Sequence, residues 1–149
     1  MPKFTVLKTG VNEELINKTK ETVEGYMDKL FHDYEIVKID DFYTFTFGTV
    51  TVTIQVLPWH SDDVLVKVYS YLAEDIEVTS GLTEELLRLN ANIPFGGFGL
   101  AFDGTVSFSY SLAGKNLDLN EFEAAVQMVA KTADEYDDLI QENKSLTIN

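Results

Sequence analysis

The chain has 149 residues, enough for one compact domain with a proper core, and its 45% hydrophobic and 24% charged residues exclude a disordered polypeptide. Its formal net charge is −14, from 25 acidic and 11 basic residues. This field repels phosphate backbones and anionic lipid, so it argues against nucleic-acid and membrane partners.

The first predicted element is a helix. Asn12 is a suitable N-cap, and Glu13 and Glu14 are favourable in the first turn of a helix. Apolar residues then recur at spacings of three and four residues as far as Phe31. The pattern predicts a helix from Glu13 to about His32.

Three strands are predicted next, because the apolar period changes to two. Tyr43, Phe45 and Phe47 alternate with threonines, and residues 50–56 alternate valine or isoleucine with polar side chains. Pro58 is expected to end the second strand, since proline cannot donate to a β-ladder. The third strand is predicted over residues 64–72, with Val64, Val66 and Val68 on one face and Tyr69 and Tyr71 on the other.

A second helix is predicted from Glu84 to about Asn92. Thr83 is a good N-cap, and Leu82 and Leu87 have the spacing of a hydrophobic staple. Pro94 and the glycines after it are expected to end this helix.

A hairpin follows the second helix. Leu100 and Phe102 are predicted to lie in one strand and residues 106–112 in the next. Asp103-Gly104 between them is typical of a two-residue type I′ turn, whose central residues both need positive φ.

The last helix has the clearest signals. Asp118 and Glu121 have capping-box spacing, and an apolar stripe runs from Phe122 to Ile140. Asp137, with the neighbouring acidic residues, is expected on the solvated face. The residues after Asn143 show no pattern.

The resulting order is α-β-β-β-α-β-β-α in a single domain over residues 1–149. It predicts an α+β fold with a five-stranded antiparallel or mixed sheet and helices packed on one face. The opposite face should stay accessible; it carries Thr51, Thr53, Ser107, Ser109 and Ser111.

Two stretches together suggest a family. "LLRLNANIPFGGFGLAFDGTVSFSYSL", followed by "LDLNEFEAAVQMVAKTADEYDDLI", resembles YbjN-like proteins of the type III secretion chaperone-like fold. The shared features are a leucine-rich helix, a glycine-containing approach to a hairpin at Asp103-Gly104, and a capped terminal helix. The resemblance implies a small, acidic, non-enzymatic protein, often dimeric, that binds other proteins or has a regulatory role. It supplies no catalytic residues.

The glycine stretch does not form a nucleotide site. Gly97-Phe98-Gly99 begins a G-x-G-x-x-G pattern, but Phe102 stands at the sixth position, and the order of helix then strand is the reverse of a dinucleotide-binding turn. Gly114-Lys115 does not complete a Walker motif either, because Asn116 replaces the Ser/Thr. We therefore expect no cofactor.

The loop "WHSDD" is the most polar candidate for chemistry. His60, Ser61 and Asp62 are immediate neighbours and cannot converge as a catalytic triad without other elements. A metal site built from His60, Asp62 and Asp63 is conceivable, but a solvated turn is the expected structure. The chain has no cysteine for a thiolate site and no convincing ligand spacing, so we expect no metal. It also shows no nucleophile motif or phosphate loop, so we expect no catalysis.

The location is expected to be cytoplasmic. The N-terminal residues lack the apolar stretch of a secretory signal, and no segment approaches the roughly 20 apolar residues that span a bilayer.

The aromatic residues indicate where a partner could bind. Trp59, Tyr69, Tyr71, Phe95 and Phe98 fall in loops or on the second face of a strand. They form either the edge of the core and a dimer contact, or a partner surface. The leading interpretation is a non-catalytic protein-interaction module, chaperone-like or regulatory, that forms a homodimer with an unknown protein partner. The alternative is a small-molecule sensor or enzyme with a pocket between sheet and helices near Trp59–Asp63.

Overall fold

A computed structural model describes residues 7–142, so the unpatterned tail after Asn143 lies outside the described residues. In chain order the elements of this part are α1 (Glu13–Leu30), β1 (Val37–Ile39), β2 (Phe42–Phe47), β3 (Val50–His60), β4 (Asp63–Leu72), α2 (Ser80–Asn92), β5 (Gly97–Leu100), β6 (Val106–Ala113) and α3 (Leu119–Gln141).

The strands form one sheet in the order β1-β2-β3-β4-β6-β5, and every neighbouring pair is antiparallel. The predicted α+β class is confirmed, but the sheet has six strands rather than five. The additional strand, β1, pairs Val37 with Thr44 and Ile39 with Phe42. Its three residues, Val37-Lys38-Ile39, are all exposed, and the run is too short for its alternation to indicate a strand in the sequence.

Helices α1 and α3 cover one face of the sheet. Alternate residues of β3, β4 and β6 point into this face and form most of the sheet's share of the core. Val52 and Phe108, each at the centre of an apolar run, are both 0% exposed, which confirms the predicted phase of their strands. α3 contributes the largest helical share of the core; its buried apolar residues are Phe122, Ala125, Val126, Val129, Ala130, Ala133 and Ile140.

Helix α1 begins where the sequence predicts. The side chain of Asn12 accepts a hydrogen bond from the Leu15 N–H at 2.9 Å, and its amide donates to the carbonyl of Ser61 at 3.0 Å. The helix ends at Leu30, two residues before the predicted end at His32. Phe31 is the C-cap, and its ring stacks on Phe45 of the sheet at 5.5 Å.

Pro58 does not end β3, contrary to prediction. The strand continues to His60, and the register shifts between Pro58, which pairs with Val64, and His60, which pairs with Asp63. The ladder with β2 reaches only Gln55, so this part of β3 is paired on one side only. Proline is tolerated at such an edge, where its missing N–H need not face a neighbouring strand.

Helix α2 begins one turn earlier than predicted. Thr79, not Thr83, is the N-cap, and its hydroxyl accepts from the Leu82 N–H at 3.1 Å. Thr83 lies inside the helix and donates to the carbonyl of Ser80. Leu87 is 70% exposed, so the predicted staple with Leu82 is wrong. Gly81, a poor helix former, concealed the first turn in the sequence pattern.

The turn between β5 and β6 is also different from the prediction. Its loop has three residues, because the Ala101 N–H donates to Thr105 and the Gly104 N–H donates back to Ala101. Gly104 has a φ of +90°, but Asp103 does not have the positive φ that a type I′ turn requires. Phe102 therefore lies in the loop, fully exposed, and not in a strand.

The start of α3 confirms the predicted capping box: the Glu121 N–H donates to Asp118 at 2.7 Å, and the Asp118 N–H donates to Glu121 at 3.3 Å. Its other end corrects a prediction, because Asp137 is buried. Asp137 lies four residues after Ala133 and three before Ile140, so its position belongs to the apolar stripe although its side chain is charged.

Candidate functional site

The face of the sheet opposite α1 and α3 is accessible, as predicted, and we call it the open face. The strand registers place its residues in cross-strand rows. One row contains Val37, Thr44, Thr53, Tyr69, Ser109 and Gly97. A second row contains Ile39, Phe42, Gln55, Lys67 and Ser111. Both rows combine small or polar side chains with isolated large ones, so the face is shallow and only partly apolar.

Tyr69 and Tyr71 form the aromatic centre of the open face. Their rings meet edge to face, with centroids 5.5 Å apart at an angle of 69°. Tyr71 is 51% exposed and Tyr69 is half-buried. The ammonium group of Lys67 lies 5.1 Å from the centroid of the Tyr69 ring. Burial, and then the neighbouring Tyr71, raise the pKa of the Tyr69 hydroxyl above its usual value.

A strip of small residues lies beside these two tyrosines. On β6, Ser107 and Ser109 pair directly with Tyr71 and Tyr69. On β5, glycines face the same serines: Gly99 pairs with Ser107 and Gly97 with Ser109. The two tyrosines therefore form a wall along a floor of small side chains, with serines on β6 and glycines on β5.

The other three aromatic candidates do not join this surface. Trp59 is 49% exposed at the irregular end of β3, with its ring 4.6 Å from that of His60. Phe95 is 58% exposed, but it stacks on Tyr110 beside α3.

The expectation that Phe98 is exposed is wrong. It is buried in the core, where its ring contacts Phe108 and Tyr136 edge to face at 5.0 and 5.2 Å. It lies between two glycines, so no alternation of side chains in the sequence assigned it to a face.

Two grooves flank α3. One, of about 410 Å³, lies between the C-terminal end of α1, β2 and α3, and Tyr34, Phe45 and Phe47 line it. The other, of about 650 Å³, lies between α3 and β6, and Phe95, Tyr110 and Met128 line it. A smaller notch of about 250 Å³ separates α2 from β5.

A fourth cavity, of about 370 Å³, is polar and lies where β3, β4 and the end of α3 meet. It contacts the open face through Tyr71 and holds the buried Asp137. Sequence reasoning missed it, because it assembles Thr49, Ala73 and Asp137 from distant parts of the chain. The only available signal was the position of Asp137 in the apolar stripe of α3.

The region near Trp59–Asp63 lines none of these four cavities. Its polar groups hold the hairpin together: Asp63 accepts from the N–H groups of Val64 and Lys115, and His60 accepts from the N–H of Asp62. Among residues 7–142, no group of three or more His, Asp or Glu side chains is arranged to hold a metal ion. No helix in that range is long and apolar enough to cross a membrane.

A comparison with known protein families shows to which of them the chain is related. Residues 17–144 match the family described as T3SS (YopN, CesT) and YbjN peptide-binding chaperone 1. The chain belongs to this family of peptide-binding chaperones. The match covers the whole sheet, α2, α3 and most of α1, and it confirms the resemblance found in the sequence. No curated protein matches the chain significantly.

Proposed function

We propose that this protein is a non-catalytic chaperone that binds an extended segment of another polypeptide on its open face. The observation that carries the proposal is the edge-to-face pair of Tyr69 and Tyr71 beside the floor of serines and glycines. Membership of a peptide-binding family supports the class of ligand. The tyrosine wall and the floor of small residues support the open face as the place where the peptide binds.

Each part of this surface has a physical role in the proposal. Tyrosine offers a large apolar area at low entropic cost, and its hydroxyl stays hydrated while no partner is bound. The glycines and serines allow the backbone of a bound segment to approach the sheet closely. Because the chain carries a net charge of −14, we expect its partner segments to be basic.

The double variant Tyr69→Ser, Tyr71→Ser tests the proposal. Its melting temperature should stay within a few degrees of the parent's, since substitutions on an accessible surface cost little. It should lose binding to the extended peptides that the parent captures from a cellulose-bound peptide array. Phe102→Ser is the matched control, because Phe102 is a fully exposed aromatic residue in the turn between β5 and β6. Unchanged capture by the double variant would refute the open face as the binding surface, and loss of capture by Phe102→Ser would move the site to that turn.

We further infer that the protein works as a homodimer in the cytoplasm. The family resemblance and the number of exposed large apolar side chains support dimerisation. The lack of cysteine is consistent with a reducing compartment.

A further inference from the structure

The polar cavity at the end of the open face forms where β3 and β4 separate. Their ladder has its last pair at Thr53 and Tyr69, and beyond that pair the Ser70 hydroxyl bonds to the carbonyl of Thr51 at 2.8 Å. The cavity of about 370 Å³ lies between the separated strands and the last turns of α3. Tyr71 lines it and also belongs to the tyrosine wall, so the cavity is continuous with the proposed peptide surface.

Asp137 is the buried charge of this cavity, with 6% of its surface exposed. Its Oδ1 accepts from the Ala73 N–H at 2.8 Å and from the Gln141 amide at 3.0 Å, and its Oδ2 accepts from the Thr49 hydroxyl at 2.9 Å. All three donors are neutral. Between residues 7 and 142, Asp137 forms no ion pair with a Lys, Arg or His side chain. Buried carboxylates are usually paired with a cation, so this one lacks its usual partner.

The surroundings of Asp137 add to the negative potential. Glu74, an exposed carboxylate, also lines the cavity. Gln141 lines it from the last turn of α3, which contains no basic residue. The C-terminal end of a helix carries partial negative charge, so it too favours a cation. The Tyr71 ring supplies an aromatic surface, on which a guanidinium group stacks well.

We propose that this cavity binds a basic side chain of the polypeptide held on the open face, arginine in preference to lysine. The proposal rests on the proposed peptide-binding function and adds a rule of selectivity to it. The cavity offers carboxylate, hydroxyl and amide oxygens around one aromatic ring, which suits the five donors of a planar guanidinium better than a compact ammonium group. Segments that this protein binds should therefore carry an arginine close to the apolar residues that contact Tyr69 and Tyr71.

Fluorescein-labelled peptides of about ten residues test this rule. Each contains a Leu-Phe pair, followed after one to four serines by arginine, by lysine, or by citrulline, the neutral analogue of arginine. Anisotropy should show that the best arginine peptide binds about tenfold more tightly than its citrulline counterpart, with lysine between them. Equal affinity for the arginine and citrulline peptides would overturn the proposal.

Substitutions of residues that line the cavity test whether the preference for arginine arises there. Glu74→Gln and Asp137→Asn should each reduce the preference for arginine over citrulline, while affinity for the citrulline peptide stays unchanged. Glu77→Gln is the matched control, since Glu77 is an exposed acid of the same connection that does not line the cavity. Should Asp137→Asn fail to fold, Glu74→Gln still decides the question, because Glu74 is exposed. If Glu74→Gln keeps the preference for arginine, or if Glu77→Gln lowers it equally, the preference arises from the overall charge of the protein. Either result would refute the proposal that the cavity binds the arginine.

The same titrations separate this proposal from the peptide-binding function. If all three peptides bind equally and Tyr69→Ser, Tyr71→Ser abolishes their binding, the cavity proposal fails and the peptide surface stands. If no peptide of the series binds the parent protein, both fail.

Discussion

The side-chain amide of Asn90 forms two hydrogen bonds with the backbone of Phe98, the same two that a neighbouring β-strand would form. Its oxygen accepts from the Phe98 N–H at 2.7 Å, and its nitrogen donates to the Phe98 carbonyl at 3.0 Å. Asn90 lies on α2 and Phe98 on β5, the last strand at this side of the sheet. One side chain therefore ties the helix to the sheet and occupies the N–H and the carbonyl of Phe98 on the edge strand.

Replacing Asn90 with leucine should destabilise the protein by about 1–3 kcal/mol, because the two backbone groups of Phe98 lose their partner at a part-buried site. Urea unfolding followed by circular dichroism measures the change. Asn92→Ala is the control: Asn92 is on the same helix and exposed, and its amide bonds to the carbonyl of Arg88. An Asn90→Leu variant as stable as the parent would show that water replaces the amide without cost.

Replacing Val52 or Phe108 with aspartate should cost several kcal/mol, since each variant places an unpaired charge in a fully buried position. Thr53→Asp is the comparison for Val52, because the adjacent side chain points to the open face and is only partly buried. Thermal unfolding should separate the two by many degrees. Similar melting temperatures for Val52→Asp and Thr53→Asp would contradict the assignment of the two faces.

Replacement by alanine should change the stability of the protein in opposite directions at two glycines. In Gly96→Ala the new Cβ would lie 2.8 Å from the carbonyl oxygen of Ser109, and Gly96 has a φ of +79°, so this variant should lose stability. In Gly25→Ala the Cβ meets nothing within 4 Å inside α1, so the helix should gain about 0.5–1 kcal/mol. Chemical denaturation of the two variants side by side gives both signs. A stabilised Gly96→Ala would mean that the approach to β5 is not as tight as described.

Alkaline pH should weaken the fold through its tyrosines. Burial is the largest cause that raises the pKa of Tyr43, Tyr69 and Tyr136 above the ordinary value of 10.0. The folded state holds these protons more tightly than the unfolded state does. Their contribution is therefore complete below pH 10 and is lost as the pH rises through the raised values.

The free energy of unfolding should consequently fall as the pH rises above 10, and ultraviolet absorbance should show tyrosines that ionise late. Tyr69→Phe should reduce the steepness of the fall, because it removes one of the three groups. A pH profile identical to that of the parent would mean that Tyr69 ionises equally in the folded and unfolded states.

Light scattering at micromolar concentration should report a species of twice 16.8 kDa, as expected for the proposed homodimer. The peptide titrations should then saturate at one peptide per chain. A single species of 16.8 kDa would refute dimerisation and leave the proposed peptide surface unaffected.

The sequence predicted the central strands and the last helix because their signals are local. Alternation set the phase of β3, β4 and β6, and the capping box at Asp118 set the start of α3. The same alternation placed Tyr69 and Tyr71 opposite the buried valines. Features that depend on distant contacts were out of reach.

Two residues illustrate that limit. Phe98 is buried by α3 and β6, which the surrounding glycines do not reveal. Asp137 is buried because Thr49 and Ala73, 88 and 64 residues away in sequence, supply its hydrogen bonds. Local charge predicts a solvated side chain at such a position, and only the assembled fold shows otherwise.

The unequal edges of the sheet determine how copies of this protein can join through their backbones. At one side α2 and Asn90 occupy β5, while at the other the described outer edge of β1, with exposed Val37 and Ile39, has no neighbouring strand. A sheet with two open edges adds copies at both ends and grows into a fibre. A sheet with one open edge can pair only with the same edge of a second copy, edge to edge about a twofold axis, and growth then stops. Blocking a single edge is therefore enough to keep edge pairing finite.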